Sequence, residues 1–166
     1  MQPRRRNSLR YPGYDYAHPG GVFITICTHG RQHLFGAVEH GSVVVSRAGL
    51  LAADCWRAIP CRFSGVMIDV FVVMPDHVHG ILFTGTNPGA ESATVGDVVR
   101  WFKASVHAGC RDGVRRPGWP PYDLHLWQRN YHDRIVRSGA ELVVIRTYIE
   151  ADPARWQARM ESEQQS

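Results

Sequence analysis

The stretch VVMPDHVHGIL, Val72 to Leu82, combines an apolar, β-branched run with two histidines two positions apart. Side chains alternate between the two faces of a β-strand, so His77 and His79 point to the same face. Their imidazoles are then close enough to share a divalent metal ion, for which neutral imidazole is a good ligand. The alternative is that both histidines are only polar residues on an exposed strand face.

The segments around this stretch predict a hairpin within a larger sheet. Residues 65–74 read as a strand, Pro75-Asp76 as a turn, and residues 77–84 as a second strand. Further strands are predicted at 22–28 and 131–137, with a loop from Gly30 to Gly41. The two histidines therefore lie at the start of the hairpin's second arm.

Three helices are predicted between and after these strands, each behind an N-cap residue. Ser46 begins a helix that we expect to end before Pro60, Thr94 begins a second, and Ser138 begins a third that ends at Pro153. The first six elements have the order βαββαβ, which predicts a ferredoxin-like α+β sandwich with an antiparallel sheet and an additional C-terminal helix. Helices would cover one sheet face and leave the other face, or the open end, for chemistry.

The last helix carries a candidate nucleophile. Tyr148 precedes Asp152 by four residues, so both are expected on one face of that helix, away from the apolar stripe of Leu142, Ile145 and Ile149. A phenol has a pKa near ~10 and needs help to act as a nucleophile. A metal that activates phosphorus supplies that help, and this combination is what single-tyrosine DNA strand transfer requires.

Composition limits the classes of function. A chain of 166 residues suits one domain, and the net charge of +4 favours polyanionic partners such as nucleic acid. We expect a basic N-terminal arm over 1–20, one domain over 21–157 and a polar tail over 158–166. No apolar run approaches a membrane span, and four cysteines without CxxC spacing predict reduced thiols in a cytoplasmic protein.

A nucleotide hydrolase of the histidine-triad type also carries alternating histidines. That chemistry needs a third alternating histidine as nucleophile, and Ile81 occupies its position here. The hydrolase interpretation therefore fails at the catalytic residue.

Several segments together resemble the REP-associated tyrosine transposases of the single-tyrosine HUH (His-hydrophobe-His) superfamily. The similarity spans about residues 10–157 and is carried by Val22–Thr28, Phe71–Phe83, Phe102-Lys103, Leu126–Tyr131 and Arg146–Pro153. The resemblance implies metal-dependent cleavage and rejoining of single-stranded DNA next to a short hairpin, through a 5′-phosphotyrosine and with Mg²⁺ or Mn²⁺.

By the same resemblance, His77 and His79 match the metal-binding pair and Tyr148 matches the nucleophile. Asp152 matches a position where relatives carry an amide that completes the metal shell. An aspartate is a competent hard ligand, but it adds negative charge beside the scissile phosphate. The residues predicted to hold DNA are basic or aromatic, namely Arg4, Arg5, Arg6, Arg10, Lys103, Trp127, Arg129, Tyr131, Arg134 and Arg137.

Two other functions stay open. The chain is alternatively a hairpin-DNA-binding protein, weak or inactive in catalysis, that derives from such a transposase. A metal-dependent nuclease without religation is the third interpretation. The sequence also leaves open whether a monomer or a homodimer assembles the site.

Overall fold

The computed structural model describes residues 20–91, 93–122 and 125–164. The predicted arm arginines Arg4, Arg5, Arg6 and Arg10 lie outside these described residues. The elements in chain order are β1 Gly20–Cys27, β2 Gly36–Glu39, β3 Ser42–Val45, α1 Arg47–Arg57, α2 Ile59–Arg62, β4 Val66–Met74, β5 His77–Thr84, α3 Val95–Gly113, β6 His132–Ile135, α4 Gly139–Glu150 and α5 Asp152–Gln164.

Four strands form one antiparallel sheet in the order β4-β5-β1-β6. With α1 after β1 and α3 after β5, this order confirms the predicted α+β fold with its βαββαβ core. The hairpin of β4 and β5 is also confirmed, with Met74 opposite His77 and Val72 opposite His79. Strand β5 lies between β4 and β1, so the histidines are on an interior strand of the sheet.

The two faces of the sheet carry different helices. Helices α1 and α3 cover one face, where Trp56, Phe102 and Leu82 lie in the larger core. Helix α4 covers part of the other face, where Ile145 and Ile149 pack with Ile81 and Val136. The predicted apolar stripe of α4 is thus confirmed, and the face opposite the main core is only partly available for chemistry.

The predicted loop over 30–41 is wrong in its second half. Residues 36–39 form β2, which pairs with β3 as a separate two-stranded hairpin. His40 and Gly41 turn this hairpin with positive φ values of 51° and 73°. Two successive left-handed residues fit the twist of a tight hairpin, but His-Gly is a weaker sequence signal for such a turn than Asn-Gly.

The two prolines expected to end helices instead lie at helix starts. Helix α1 ends at Arg57, and Pro60 lies in the first turn of α2. Helix α4 ends at Glu150, and Pro153 lies in the first turn of α5. Proline lacks an N–H group that the first turn of a helix does not need, which suits it to these positions.

The break after α4 corrects a prediction about the site. Tyr148 and Asp152 are not on one helix, because Ala151 separates α4 from α5. Helix α5 then continues through the segment predicted as a polar tail, and its residues from Ala158 to Gln164 are exposed. All four cysteines are free. Within the described part of the chain, no helix is long and apolar enough to cross a membrane.

Gly80 is the position of β5 that tolerates no side chain. A Cβ atom there would lie 2.5 Å from Phe71 Cβ and 2.8 Å from Trp56 Cζ2. The rings of Trp56 and Phe71 stack over this position with centroids 5.8 Å apart. Because Gly80 has no side chain, the rings of Trp56 and Phe71 can pack directly against the main chain of β5.

We predict that Gly80→Ala lowers the free energy of unfolding by about 1–3 kcal/mol, the usual cost of overpacking a core. Urea denaturation measures the change. Gly139→Ala is the matched control, because a Cβ at Gly139 meets nothing within 4 Å, and it should leave stability unchanged or slightly higher. A Gly80→Ala protein as stable as the parent would contradict this account of the packing.

Candidate metal centre and tyrosine

The turn before β5 is held in place by main-chain hydrogen bonds from two other segments. Thr28, fully buried, donates to the main-chain oxygen of Asp76 from its N–H at 2.9 Å and from its hydroxyl at 3.0 Å. The N–H of Phe35 donates to the main-chain oxygen of Pro75 at 3.0 Å. The start of β5, and with it His77, is therefore fixed relative to β1.

His77, His79 and Asp152 form a buried group that can hold a metal ion. Their ligand atoms all lie within 4.8 Å of one another. Asp152 Oδ2 lies 3.3 Å from His77 Nε2 and 3.4 Å from His79 Nε2. His79 Nε2 is buried and has no hydrogen-bond partner. Two imidazole nitrogens and one carboxylate oxygen suit a divalent cation, and the unpaired nitrogen is explained if it is a metal ligand.

Asp76 and Arg31 orient the first of the two histidines. The Nδ1–H of His77 donates to Asp76 Oδ1 at 2.6 Å, which leaves Nε2 facing the group, where it can bind a metal ion once it has lost its proton. Asp76 Oδ2 lies 2.8 Å from Arg31 Nε. A carboxylate that fixes the tautomer of a ligating histidine is a common second layer of metal sites. The sequence analysis did not assign this role to Asp76 or Arg31.

The two histidines have opposite pKa shifts. Burial lowers the pKa of His77, but its hydrogen bonds to Asp152 and Asp76 outweigh burial and raise the pKa above the ordinary value. Burial, together with the neighbouring charge of His77, lowers the pKa of His79 to about 4. His79 is therefore neutral near pH 7, the form that binds metal.

Asp152 is ionised despite its burial. Burial favours the neutral acid, but the hydrogen bonds with His77 and Arg155, together with positive charge on the histidine pair, lower the pKa of Asp152 below the ordinary value. Arg155 Nη2 donates to Asp152 Oδ1 at 3.0 Å. One oxygen of the carboxylate thus faces the histidines and the other faces an arginine.

Tyr148 lies beside the metal group in the same chain. Its ring centroid is 5.9 Å from that of His79 and 6.0 Å from that of Phe23, in edge-to-face contacts. The side chain is 46% exposed, which confirms that it points away from the core. The guanidinium carbon of Arg155 lies 3.7 Å from the ring centroid. A metal group and an accessible phenol are thus brought together although Tyr148 and Asp152 belong to different helices.

Among the predicted DNA contacts, Lys103 and Trp127 are engaged within the protein. The ammonium of Lys103 donates to the main-chain oxygens of Gln128, Arg129 and Asn130 at 2.8–3.4 Å. Trp127 Nε1 donates to the main-chain oxygen of Lys103 at 3.1 Å, and its ring packs against Phe35 and Phe102. Both residues therefore hold residues 127–131 against α3 through hydrogen bonds inside the protein.

The other predicted contacts are placed as follows. Arg129 is exposed, and Tyr131 is half-buried with Lys103 Nζ 5.9 Å from its ring centroid. Arg134 pairs with Glu141, whose second oxygen accepts from the N–H of Arg137 at 2.7 Å. Arg134 lies opposite Phe23 on β1, so it shares the sheet face of the metal group.

Two residues near the site escaped the sequence analysis. His132 lies opposite Thr25, which in turn lies opposite His79, so His132 is exposed on the same face two strands away, about 10 Å across the sheet. The ring of Trp156 lies 6.1 Å from that of His77. Only strand register and the packing of α5 reveal these positions, because neither follows from local spacing.

Comparisons with known proteins show a relative in sequence and neighbours in fold. No protein-family model matches the chain. A protein of Haemophilus influenzae, itself uncharacterised, is 32% identical over 169 residues, which cover 92% of this chain and 90% of that protein.

Two solved structures share the fold. A REP-associated tyrosine transposase bound to a REP hairpin superposes with a TM-score of 0.59 at 15% identity, over 87% of this chain and 73% of the other. A protein of Deinococcus radiodurans R1, provisionally assigned as a transposase, superposes with a TM-score of 0.51 at 22% identity, over 85% and 95%. Identities this low establish the fold alone. The chain therefore belongs to the same family as the Haemophilus influenzae protein and has the fold of a REP-associated tyrosine transposase.

Proposed function

We propose that this protein cleaves and rejoins single-stranded DNA next to hairpins, with Tyr148 as nucleophile and Mg²⁺ or Mn²⁺ held by His77, His79 and Asp152. The observation that carries the proposal is the contact of an accessible tyrosine with a buried His-His-Asp group. Single-tyrosine strand transfer needs these two parts and little else. The shared fold with a hairpin-bound transposase supports the choice of substrate.

The proposed reaction conserves the energy of the phosphodiester bond. Tyr148 Oη attacks the scissile phosphorus, an O–P bond to tyrosine forms, and the bond from phosphorus to the 3′ oxygen breaks. The phenol proton passes to water and the departing 3′ oxygen takes one up, so no proton is consumed. Rejoining is the reverse attack by a 3′-hydroxyl. A bound divalent ion supplies polarisation of the phosphate and stabilises the leaving oxygen.

The protein's own residues prepare this reaction. Asp76 holds His77 in the tautomer whose Nε2 faces the group, and the low pKa of His79 keeps it neutral. His132 and Arg134 are exposed on the sheet face that carries the two histidines, and Arg129 is also exposed. These three residues are proposed to contact DNA phosphates. The arm arginines, Lys103, Trp127, Tyr131 and Arg137 stay proposed contacts, with Lys103 and Trp127 acting through the segment that they hold. We also propose a cytoplasmic location with DNA.

A hairpin-binding protein without cleavage is the second candidate. The observation that favours it is the ionised carboxylate of Asp152, which brings negative charge to the place where a phosphate must bind. In this case hairpin DNA would bind, but Tyr148 would not become linked to it.

We predict that the protein binds Mn²⁺ and that His79→Ala and Asp152→Ala each lower the affinity at least about tenfold, since even outer-layer changes at metal sites cost 10- to 100-fold. Isothermal titration calorimetry measures the affinity. Mn²⁺ should also raise the melting temperature of the parent and not that of His79→Ala. Asp133→Ala, an exposed carboxylate on β6, is the control and should bind as the parent does. Equal affinity in all four proteins would place the metal elsewhere.

We predict a covalent protein–DNA adduct when the parent protein meets a labelled single-stranded hairpin oligonucleotide and Mn²⁺. The oligonucleotide is taken from DNA flanking the gene, and the adduct is detected on a denaturing gel. Tyr148→Phe should abolish the adduct, because it keeps the ring contacts and removes the attacking oxygen. Tyr122→Phe, which changes a tyrosine in contact with His107, should leave it intact.

Each other outcome of this assay indicates a different function or a different nucleophile. Hairpin binding without an adduct in the parent would favour the binding-only candidate. Metal-dependent cleavage that persists in Tyr148→Phe would indicate a nuclease that uses water. An adduct that persists in Tyr148→Phe would mean that another residue is the nucleophile.

We also predict that one chain assembles the site alone, since Tyr148 contacts His79 of its own chain. A mixture of Tyr148→Phe with the His77→Ala/His79→Ala double variant should therefore form no adduct. If the mixture recovers adduct formation, the tyrosine and the histidines work from different subunits of a dimer.

A further inference from the structure

Arg155 contacts both the candidate nucleophile and the candidate metal ligand. Its Nη2 donates to Asp152 Oδ1 at 3.0 Å and to the main-chain oxygen of Tyr148 at 2.9 Å. Its guanidinium carbon lies 3.7 Å from the centre of the Tyr148 ring. The side chain is 38% exposed, so these contacts form at the rim of the site.

The bond to Asp152 determines which carboxylate oxygen faces the histidines. Asp152 is almost fully buried, and its Oδ2 lies within 3.4 Å of both histidine Nε2 atoms. A carboxylate can rotate about its bond to Cβ, and a donor fixed on Oδ1 restricts this rotation. A buried carboxylate also needs a nearby positive charge, and Arg155 supplies one on the side away from the histidines.

The contact with Tyr148 restricts a side chain that is otherwise nearly half exposed. Phe23 and His79 meet the phenol edge-to-face, while the planar guanidinium lies against the ring within cation–π distance. The bond from Nη2 to the Tyr148 main-chain oxygen ties the same guanidinium to the end of α4, where carbonyl groups lack helical partners. Ring and main chain of Tyr148 are thus held by one group.

We propose that Arg155 is a positioning residue with two roles in the proposed reaction. It holds the Tyr148 ring in one orientation beside the metal group, and it compensates the charge of Asp152 so that a DNA phosphate can approach. This inference rests on the proposed strand-transfer function and deepens it. The first role concerns the metal-free protein, and the second appears only when DNA reacts.

The first role is tested without metal or DNA. The NMR signals of the tyrosine rings are recorded in protein labelled at tyrosine, and the Tyr148 signal is the one lost in Tyr148→Phe. Arg155→Gln and Arg155→Lys should both shift that signal, because neither side chain presents a planar cation to the ring. Arg159→Gln, one turn later on α5 and 5.8 Å from the Trp156 ring, is the control and should leave it unchanged. An unshifted signal in a folded Arg155 variant overturns this role.

The second role is tested by the rate of adduct formation at saturating hairpin oligonucleotide with Mn²⁺. Arg155→Gln should slow the reaction roughly 10- to 100-fold, as small misplacements of reacting groups do, while oligonucleotide affinity changes less than about threefold. Adding Asp152→Asn to Arg155→Gln removes the uncompensated charge but keeps an oxygen that can bind metal, so at saturating Mn²⁺ it should speed the reaction again. A double variant that is slower than Arg155→Gln alone overturns charge compensation.

Circular dichroism and urea denaturation first establish that each variant folds. If Arg155→Gln does not fold, Arg155→Lys takes its place in the rate measurement. Because lysine keeps the positive charge but not the planar group, Arg155→Lys should react more slowly than the parent and faster than an uncharged variant that folds. A parent protein that forms no adduct would refute the proposed function, and the tyrosine signal would still decide the first role. A normal parent with an unaffected Arg155→Gln rate would refute the second role alone.

Discussion

The alternation of side chains along β5 is the constraint on which both the core and the site depend. The strand is covered on both faces, so every residue from His77 to Leu82 is buried. Val78 and Leu82 enter the core under α1 and α3, whereas His77, His79 and Ile81 face α4 and α5. A shift of one residue in register would exchange these two sets and place imidazoles in an apolar core. Pairing of β5 with both β1 and β4 therefore makes the metal group a direct consequence of forming the sheet.

Burial of the site requires charges that satisfy one another. A series of ion pairs crosses the site, and basic and acidic groups alternate along it in the order Arg31, Asp76, His77, Asp152 and Arg155. Only the two arginines at the ends of this series are substantially exposed. The buried carboxylates thus each have a partner toward solvent, which limits the free energy cost of desolvation. His79 lies 3.4 Å from Asp152 but is neutral, and its lowered pKa and its Nε2 without a hydrogen-bond partner suit it to the proposed role of metal ligand.

The parts of the fold that were predictable from sequence are those specified by local pattern. Thr94, Ser46 and Ser138 each cap the helix expected after them, and β5 has the bounds predicted for it, His77–Thr84. His77, His79, Tyr148 and Asp152 were found from spacing and resemblance. The β2–β3 hairpin was missed because its His40-Gly41 turn has no strong signature. Lys103 and Trp127 look like DNA contacts in sequence, and only tertiary packing shows that each has partners inside the protein.

Tyr148 and Asp152 lie on either side of the break between α4 and α5, and they differ in exposure. On one continuous helix, residues four positions apart lie one turn apart on nearly the same face. In the structure, α4 ends at Glu150 and α5 starts at Asp152. Asp152 is 3% exposed and its carboxylate contacts both histidines, while Tyr148 is 46% exposed. In the proposed reaction a metal ligand is best shielded from water and a nucleophile must reach a polymer substrate, and this difference in exposure suits both roles. Arg155 bridges this break, because its guanidinium contacts both Tyr148 and Asp152.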